Sequence, residues 1–154
     1  MSFLGGRQSA YLLPGQLHAS AQPCQIRTIL GSCVSICLWD QRQRIGGMNH
    51  FLLPASREGE AASLRFADVA TEVLLKKLLR LDCRPQNLQA KIFGGSSMFQ
   101  SQNRYAVSLG ARNVAAAVDL LSNSGIATRS SDPLVKITDR SITFWSSRIL
   151  PGQS

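Results

Sequence analysis

The stretch Thr28-Ile-Leu-Gly-Ser-Cys-Val-Ser-Ile-Cys-Leu-Trp-Asp40, followed closely by Gly46-Gly-Met-Asn-His50, predicts both the centre of the fold and its chemistry. Residues 33–40 and 45–53 are short apolar runs joined by the polar segment 40–43, a pattern typical of a β-hairpin. The thiol and the imidazole that the two quoted stretches carry are therefore expected to lie on neighbouring strands.

The register of this hairpin decides whether the two groups meet. If Asp40 pairs with Gln43, Cys33 lies directly opposite His50, with Cβ atoms roughly 5 Å apart. A slip of one residue would send the two side chains to opposite faces. In the predicted register Val34, Ile36 and Leu38 point toward the core, whereas Cys33 and His50 share the outer face.

A cysteine and a histidine placed in this way can form a nucleophile and its base, because a free thiol is mostly protonated at neutral pH and needs a neighbour that takes its proton. Gly31 and Ser32 precede the cysteine and can aim backbone N–H groups at an oxyanion. Gly46 and Gly47 would let a substrate come close. The competing interpretation is that Cys33 is an ordinary buried thiol.

Five segments together resemble the chemoreceptor glutamine deamidase family, CheD, and they occur in the order found in that family. They are Tyr11-Leu-Leu-Pro-Gly-Gln16, Arg27-Thr-Ile-Leu-Gly-Ser-Cys-Val34, Gly46-Gly-Met-Asn-His-Phe-Leu-Leu-Pro54, Lys91-Ile-Phe-Gly-Gly-Ser-Ser-Met-Phe99 and Leu109-Gly-Ala-Arg-Asn-Val114.

The resemblance implies roles for particular residues. Cys33 matches the family's nucleophile, His50 its general base, and Thr28 the threonine whose hydroxyl orients the histidine. It also implies that the glycine-rich segments contribute to a substrate cleft, whose candidate residues are Gly46, Gly47, Asn49, Gly94, Gly95 and Ser96.

The same resemblance implies an activity and partners. The expected reaction converts glutamine side chains on the cytoplasmic helices of chemoreceptors to glutamate, and some family members also act as methylesterases. A CheC-type phosphatase is an expected partner, and no cofactor is expected. The segment 131–133 departs from the family's pattern, which puts the partner contacts of the C-terminal part in doubt.

Length and composition predict one domain over residues 11–150, with residues 1–10 as a mobile tail. The chain has 154 residues, and no apolar run reaches the roughly 18 residues that suggest a membrane span. The first residues lack a secretory pattern, so a cytoplasmic protein without membrane insertion is expected.

Metal and nucleic-acid binding are both disfavoured by the residue pattern. The four cysteines and two histidines show no spacing typical of a zinc site. The net charge of +8 arises from basic residues scattered along the chain, which is less typical of nucleic-acid binding than a basic patch would be. Positive charge could still speed the encounter with an acidic protein surface.

Apolar periodicity predicts helices over 63–81 and 108–122, the second capped by Ser108 and buried through Val114, Val118 and Leu121. Strands are expected over 16–20, 87–93, 134–138 and 141–145. The predicted fold class is a single α+β domain whose mixed, mostly antiparallel sheet is packed by two helices. The family resemblance further implies a β-sandwich with flanking helices, shared with deamidating bacterial toxins.

Three alternative functions stay open. A cysteine protease or transglutaminase-like enzyme would use the same residue pair, and it would be told apart by the mass change of its substrate. A chemotaxis adaptor would bind receptors or a phosphatase without needing Cys33. A nucleic-acid binder would require salt-dependent binding of DNA or RNA.

Overall fold

The computed structural model describes residues 2–4, 7–96, 108–129, 135–138 and 140–145. Within these ranges the chain forms a single α+β domain, as predicted, with mixed sheets and two α-helices. The elements are β1 Ser2–Leu4, β2 Arg7–Tyr11, β3 Leu17–Ser20, β4 Cys24–Ile29, β5 Val34–Asp40, β6 Ile45–Asn49, α1 Ala67–Arg80, β7 Leu88–Gly94, α2 Leu109–Asn123, β8 Ala127–Thr128, β9 Val135–Thr138 and β10 Ser141–Trp145.

The strands in the described ranges form two five-stranded sheets. The first sheet has the order β1-β2-β4-β10-β9, and the second has the order β3-β6-β5-β7-β8. Only the β2–β4 and β7–β8 pairs are parallel among the described strands. The prediction of a mixed, mostly antiparallel architecture is therefore confirmed.

Apolar residues fall into two clusters, which divide the domain into three layers. One cluster joins the helices to the second sheet through alternate residues of β5 such as Ile36 and Leu38. The other cluster lies between the two sheets, where the rings of Trp39 and Phe144 have centroids 6.1 Å apart. Since both faces of β5 are covered, all seven of its residues are buried.

The helices cover the second sheet much as the sequence predicts. Ser108 caps α2 by accepting a hydrogen bond from the Ala111 N–H (3.1 Å), and Gly125 follows the helix with a positive φ of 69°. The predicted buried face of α2 is partly wrong, because Val118 is 48% exposed. The buried residues of α2 are Gly110, Asn113, Ala117 and Leu121.

Neither helix in the part of the chain that the structure describes is long and apolar enough to cross a membrane.

The predicted register of the β5–β6 hairpin is wrong by two residues. Asp40 pairs with Ile45, and the same register places Val34 opposite Phe51. The turn is longer than predicted because the Asp40 carboxylate organises it, accepting hydrogen bonds from the N–H groups of Arg42 (2.8 Å) and Gln43 (3.0 Å). A shift of two residues preserves the faces, so Cys33 and His50 still belong to the same side.

The predicted mobile tail over residues 1–10 is also corrected, because β1 and β2 lie in it. β2 pairs in parallel with β4, and Ala10 lies opposite Ile26 in that register. Ser9 is buried, which shows that this segment contributes to the sheet. The alternation of polar and small residues over 7–11 is a weak strand pattern, and pairing with β4 supplies the stability that the pattern lacks.

Candidate active site

Cys33 lies on the connection by which the chain passes from the first sheet to the second. This segment, Leu30–Cys33, joins β4 to β5 and is called the cysteine loop below. Cys33 is half-buried and packs against the cluster between the sheets. Burial raises the pKa of its thiol above the ordinary 9.0, and the residue's own N–H group partly opposes this effect.

His50 follows β6 directly and is 2% exposed. Its N–H donates to the Gln16 carbonyl (3.0 Å), and its carbonyl accepts from the Gly15 N–H (2.8 Å). On the β5 side, the Ile36 N–H donates to the side-chain oxygen Asn49 Oδ1 (2.8 Å). In a regular antiparallel pair this N–H would donate to a backbone carbonyl of β6, so here a side chain connects the two strands. His50 is therefore held mainly by the segment before β3.

Thr28 lies on β4 in the first sheet, yet its side chain reaches His50. The Thr28 hydroxyl oxygen is 2.8 Å from His50 Nδ1 and 2.8 Å from the Leu12 carbonyl oxygen, to which it donates. A hydroxyl has one proton, so its oxygen accepts from a protonated Nδ1. This tautomer leaves Nε2 with its lone pair, and Nε2 is buried without a partner among the described residues.

The charge states follow from burial. Desolvation lowers the pKa of His50 below 6.5, and the Leu12 carbonyl opposes this only in part. Together with the raised pKa of Cys33, the shift favours a neutral thiol and a neutral imidazole at pH 7. The pair can react only if the imidazole removes the thiol proton as the thiol attacks.

Three successive carbonyl groups of the cysteine loop accept hydrogen bonds from residues at the end of β7 or on α2. The Gly31 carbonyl accepts from the Ser96 N–H (2.9 Å), and the Cys33 carbonyl accepts from the Gly95 N–H (2.9 Å). The Ser32 carbonyl accepts from Asn113 Nδ2 (3.0 Å). The end of β7 and the helix α2 therefore fix the orientation of this loop.

The N–H groups of the loop point away from these partners, because the C=O and N–H of a trans peptide point in opposite directions. Within the described ranges, the Ser32 N–H has no acceptor, and the Cys33 N–H faces only its own sulfur. Two amides beside a thiol can stabilise a developing oxyanion. The Ser32 and Cys33 N–H groups are therefore the candidate donors of this loop, and the oxyanion role of Gly31 and Ser32 stays a prediction.

The glycines of the predicted substrate cleft contact the protein itself. A Cβ at Gly47 would lie 2.7 Å from the His18 carbonyl oxygen and 2.8 Å from Leu74, and Gly46 is also buried, so the predicted substrate approach at this pair is corrected to internal packing. A Cβ at Gly94 would overlap the Cys33 carbonyl oxygen. Gly94, Gly95 and Ser96 do lie against the cysteine loop, and they support it.

Asn49 and Asn113 are the two buried asparagines of this region, both 0% exposed. Asn49 was expected in the cleft, but it completes the β5–β6 pairing. Asn113 was assigned no chemistry by the sequence, although it belongs to the fifth segment of the family resemblance. Asn113 lies at helical spacing from the buried Ala117 and Leu121. The helical period of the sequence could therefore have indicated a polar side chain on the buried face of α2.

Ser35 is a second residue that the sequence analysis missed. It is 0% exposed, and its hydroxyl has no partner among the described residues. Continuing the observed β5–β6 pairing places Ser35 opposite His50. Ser35 is two residues from Cys33, so the two side chains lie on the same face of the sheet. Two unpaired polar atoms, the Ser35 hydroxyl and His50 Nε2, therefore lie on the same face of the second sheet.

An open cleft of about 610 Å³ adjoins this region. It is lined by Leu12, Gly15 and Gln16, which contact Thr28 or His50, and also by Tyr11 and His18. Cys33 is not among the lining residues, so the cleft adjoins the candidate site without containing the thiol. In the described part of the chain, no group of three His, Cys, Asp or Glu side chains could hold a metal ion.

The fold and the site define an α+β protein of two packed sheets, with a candidate cysteine–histidine site where the chain crosses between them. A family model described as "CheD chemotactic sensory transduction" matches residues 52–149. The chain belongs to the CheD family. The matched range begins just after His50 and does not include the cysteine loop. The curated relatives below match a larger share of the chain.

Several curated relatives match most of the chain. One from Albidiferax ferrireducens, named probable chemoreceptor glutamine deamidase CheD 2, is 40% identical over 92% of this chain and 87% of its own length. Similar proteins with that family name occur in Anaeromyxobacter dehalogenans (44% identical, 83% and 74% covered) and Trichlorobacter lovleyi (40% identical, 79% and 75% covered).

Proposed function

We propose that this protein is a chemoreceptor glutamine deamidase in which Cys33 is the nucleophile, His50 the general base and Thr28 the residue that orients His50. The observation that carries the proposal is the 2.8 Å hydrogen bond between the Thr28 hydroxyl and His50 Nδ1, which leaves Nε2 available as a base. The names of the relatives supply the substrate class.

The reaction has two steps. His50 Nε2 takes the thiol proton while the Cys33 sulfur attacks the side-chain carboxamide carbon of a substrate glutamine. The oxyanion accepts hydrogen bonds from the Ser32 and Cys33 N–H groups. The C–N bond then breaks as His50 gives its proton to the departing ammonia, which leaves a thioester on Cys33.

Hydrolysis completes the cycle. His50 removes a proton from water, the hydroxide attacks the thioester carbon, and the C–S bond breaks with return of a proton to sulfur. Glutamine has become glutamate, and one molecule of ammonia has been released. The same acyl chemistry would act on a glutamyl methyl ester, with methanol as the leaving group.

The wider setting belongs to the same proposal. The substrate is the helical cytoplasmic domain of a chemoreceptor, so the protein works in the cytoplasm, where each new carboxylate changes receptor charge and tunes signalling. A CheC-type phosphatase is a candidate regulatory partner. The packing of two sheets with helices on one face is consistent with the proposed likeness to deamidating toxins.

The decisive experiment incubates a chemoreceptor cytoplasmic fragment with the protein and follows individual glutamines by peptide mass spectrometry. Wild type should convert particular glutamines to glutamate, whereas Cys33→Ala and His50→Gln should not. Thr28→Val should slow conversion by about tenfold or more, and Thr28→Ser should keep most of it, because serine retains the hydroxyl.

Other outcomes would identify the alternatives. Cleavage of the receptor backbone would indicate a protease. Receptor binding without conversion, equal for wild type and Cys33→Ala, would indicate an adaptor and contradict the enzymatic proposal.

A further inference from the structure

Asn113 on α2 connects the two segments that carry the proposed nucleophile and base. Its Nδ2 donates to the Ser32 carbonyl (3.0 Å) and to the Leu52 carbonyl (2.8 Å). Ser32 directly precedes Cys33, and Leu52 follows His50 by two residues. One buried amide group thus spans the cysteine loop and the chain leaving β6.

The orientation of this amide is fixed by its surroundings. Both Nδ2 protons are directed at carbonyl oxygens, so the reverse placement would put an oxygen against two acceptors. Asn113 Oδ1 is buried without a partner among the described residues. An unsatisfied buried acceptor is costly, so apolar packing does not explain an asparagine here; what the side chain contributes is the Nδ2 group that donates to the Ser32 and Leu52 carbonyls.

The contact with Ser32 has a consequence for the neighbouring peptide. The peptide bond between Ser32 and Cys33 is trans, so holding the Ser32 carbonyl toward α2 directs the Cys33 N–H to the opposite side. That N–H is the one nearest the reacting sulfur. The Ser96 N–H donates to the Gly31 carbonyl and so directs the Ser32 N–H in the same manner, but it is a main-chain group that no substitution short of proline removes.

We propose that Asn113 is a positioning residue that aims the Cys33 N–H at the oxyanion formed when Cys33 is acylated. The proposal rests on the proposed function in that Cys33 must be the nucleophile. It does not depend on which glutamine is the substrate, because any acyl group that is transferred to Cys33 passes through the same oxyanion.

Two reactions of Cys33 separate this role from a general structural one. Acylation by p-nitrophenyl acetate forms an S–C bond, sends the thiol proton to His50 and releases p-nitrophenolate, and it passes through an oxyanion. Alkylation by iodoacetamide displaces iodide at a saturated carbon and forms no oxyanion. Loss of an oxyanion donor slows the first reaction far more than the second.

The experiment compares the two rates in wild type, Asn113→Ala and Asn113→Leu, with Cys33→Ala to subtract reaction elsewhere. Asn113→Leu keeps the approximate size of the side chain and has no hydrogen-bond donor, so it tests the hydrogen bond if the alanine variant folds poorly. We expect acylation to fall by about 100-fold in both variants and alkylation to fall much less, because the Cys33 N–H favours the thiolate in both reactions but the oxyanion only in the first.

Leu121→Val is the matched control, because Leu121 is buried on the same helix face and has no hydrogen bond to the cysteine loop. Its acylation rate should equal that of wild type. Equal slowing of both reactions, or an unchanged acylation rate in Asn113→Leu, would overturn the proposal. If wild-type Cys33 is not acylated at all, both this role and the proposed function fail, whereas acylation without glutamine conversion would leave Asn113 testable and reject only the substrate.

Discussion

At the scale of single residues, burial sets the protonation states of the candidate pair. Desolvation raises the pKa of Cys33 and lowers that of His50, so both shifts favour the neutral forms. An ion pair of thiolate and imidazolium would need the opposite shifts. The Thr28 hydroxyl compensates by fixing the tautomer in which Nε2 can accept the thiol proton.

This arrangement predicts how Cys33 reacts with iodoacetamide as pH changes. Because the pKa of the thiol lies above 9.0, the thiolate fraction and the alkylation rate should rise about tenfold per unit from about pH 7 to about pH 9. The measurement is the alkylation rate of Cys33 by mass spectrometry. A plateau across neutral pH, absent in His50→Gln, would instead reveal a thiolate–imidazolium pair.

At the scale of secondary-structure elements, the close contact of β6, β3 and α1 depends on Gly47. The position has an ordinary φ, so its requirement for glycine is steric: a methyl group would overlap both the His18 carbonyl and the Leu74 side chain. His50 lies three residues further along the same chain segment. A change in the packing of β6 can therefore reach the site.

We predict that Gly47→Ala lowers the free energy of unfolding by about 2 kcal/mol, because the His18 carbonyl belongs to the backbone of a paired strand and cannot move away. Urea unfolding measures the change. Gly59→Ala is the control: its new methyl meets nothing within 4 Å, and only the positive φ of 84° adds a cost of about 1 kcal/mol. A smaller loss in Gly47→Ala than in Gly59→Ala would contradict the packing argument.

At the scale of the whole molecule, Cys83 makes stability depend on pH. Burial first, and then the nearby Asp40 carboxylate, raise the pKa of this 5% exposed thiol from 9.0 to about 12. The folded state therefore holds the proton more tightly than the unfolded state. The stability that this shift contributes is fully present below 9.0, the pKa of the thiol in the unfolded chain. It is lost as pH rises from 9.0 toward about 12, the pKa in the folded state.

The free energy of unfolding should accordingly be lower at about pH 10 than at about pH 8, by on the order of 1 kcal/mol. Cys83→Ala should have a lower free energy of unfolding at both pH values, because it leaves a cavity. Its free energy of unfolding should, however, fall less between about pH 8 and about pH 10 than that of wild type. An equal loss in the variant would show that other groups cause the pH dependence.

The elements were largely predictable from the sequence, because each depends on local patterns. Apolar periodicity locates α1 and α2, and the serine at 108 and the glycine at 125 define the ends of α2. Val34, Ile36 and Leu38 face the core as predicted, but the opposite face of β5, predicted to be the outer one, is buried against the first sheet. The errors arise from contacts that apolar periodicity does not show. The Asp40 carboxylate organises a longer hairpin turn and also accepts a hydrogen bond from the distant Arg84 N–H, and β2 is stabilised by its pairing with β1 and β4.

The sequence by itself determined which residues are the candidates for the proposed chemistry: a cysteine after Gly-Ser, a histidine after a glycine pair, and a threonine upstream, all recognisable because reactive side chains are few in this chain. Only the tertiary structure decided that the threonine contacts the histidine. Thr28 and His50 belong to different sheets, and Asn113 reaches the cysteine loop from a helix 81 residues away in sequence. Such contacts arise from the packing of layers, which no local pattern encodes.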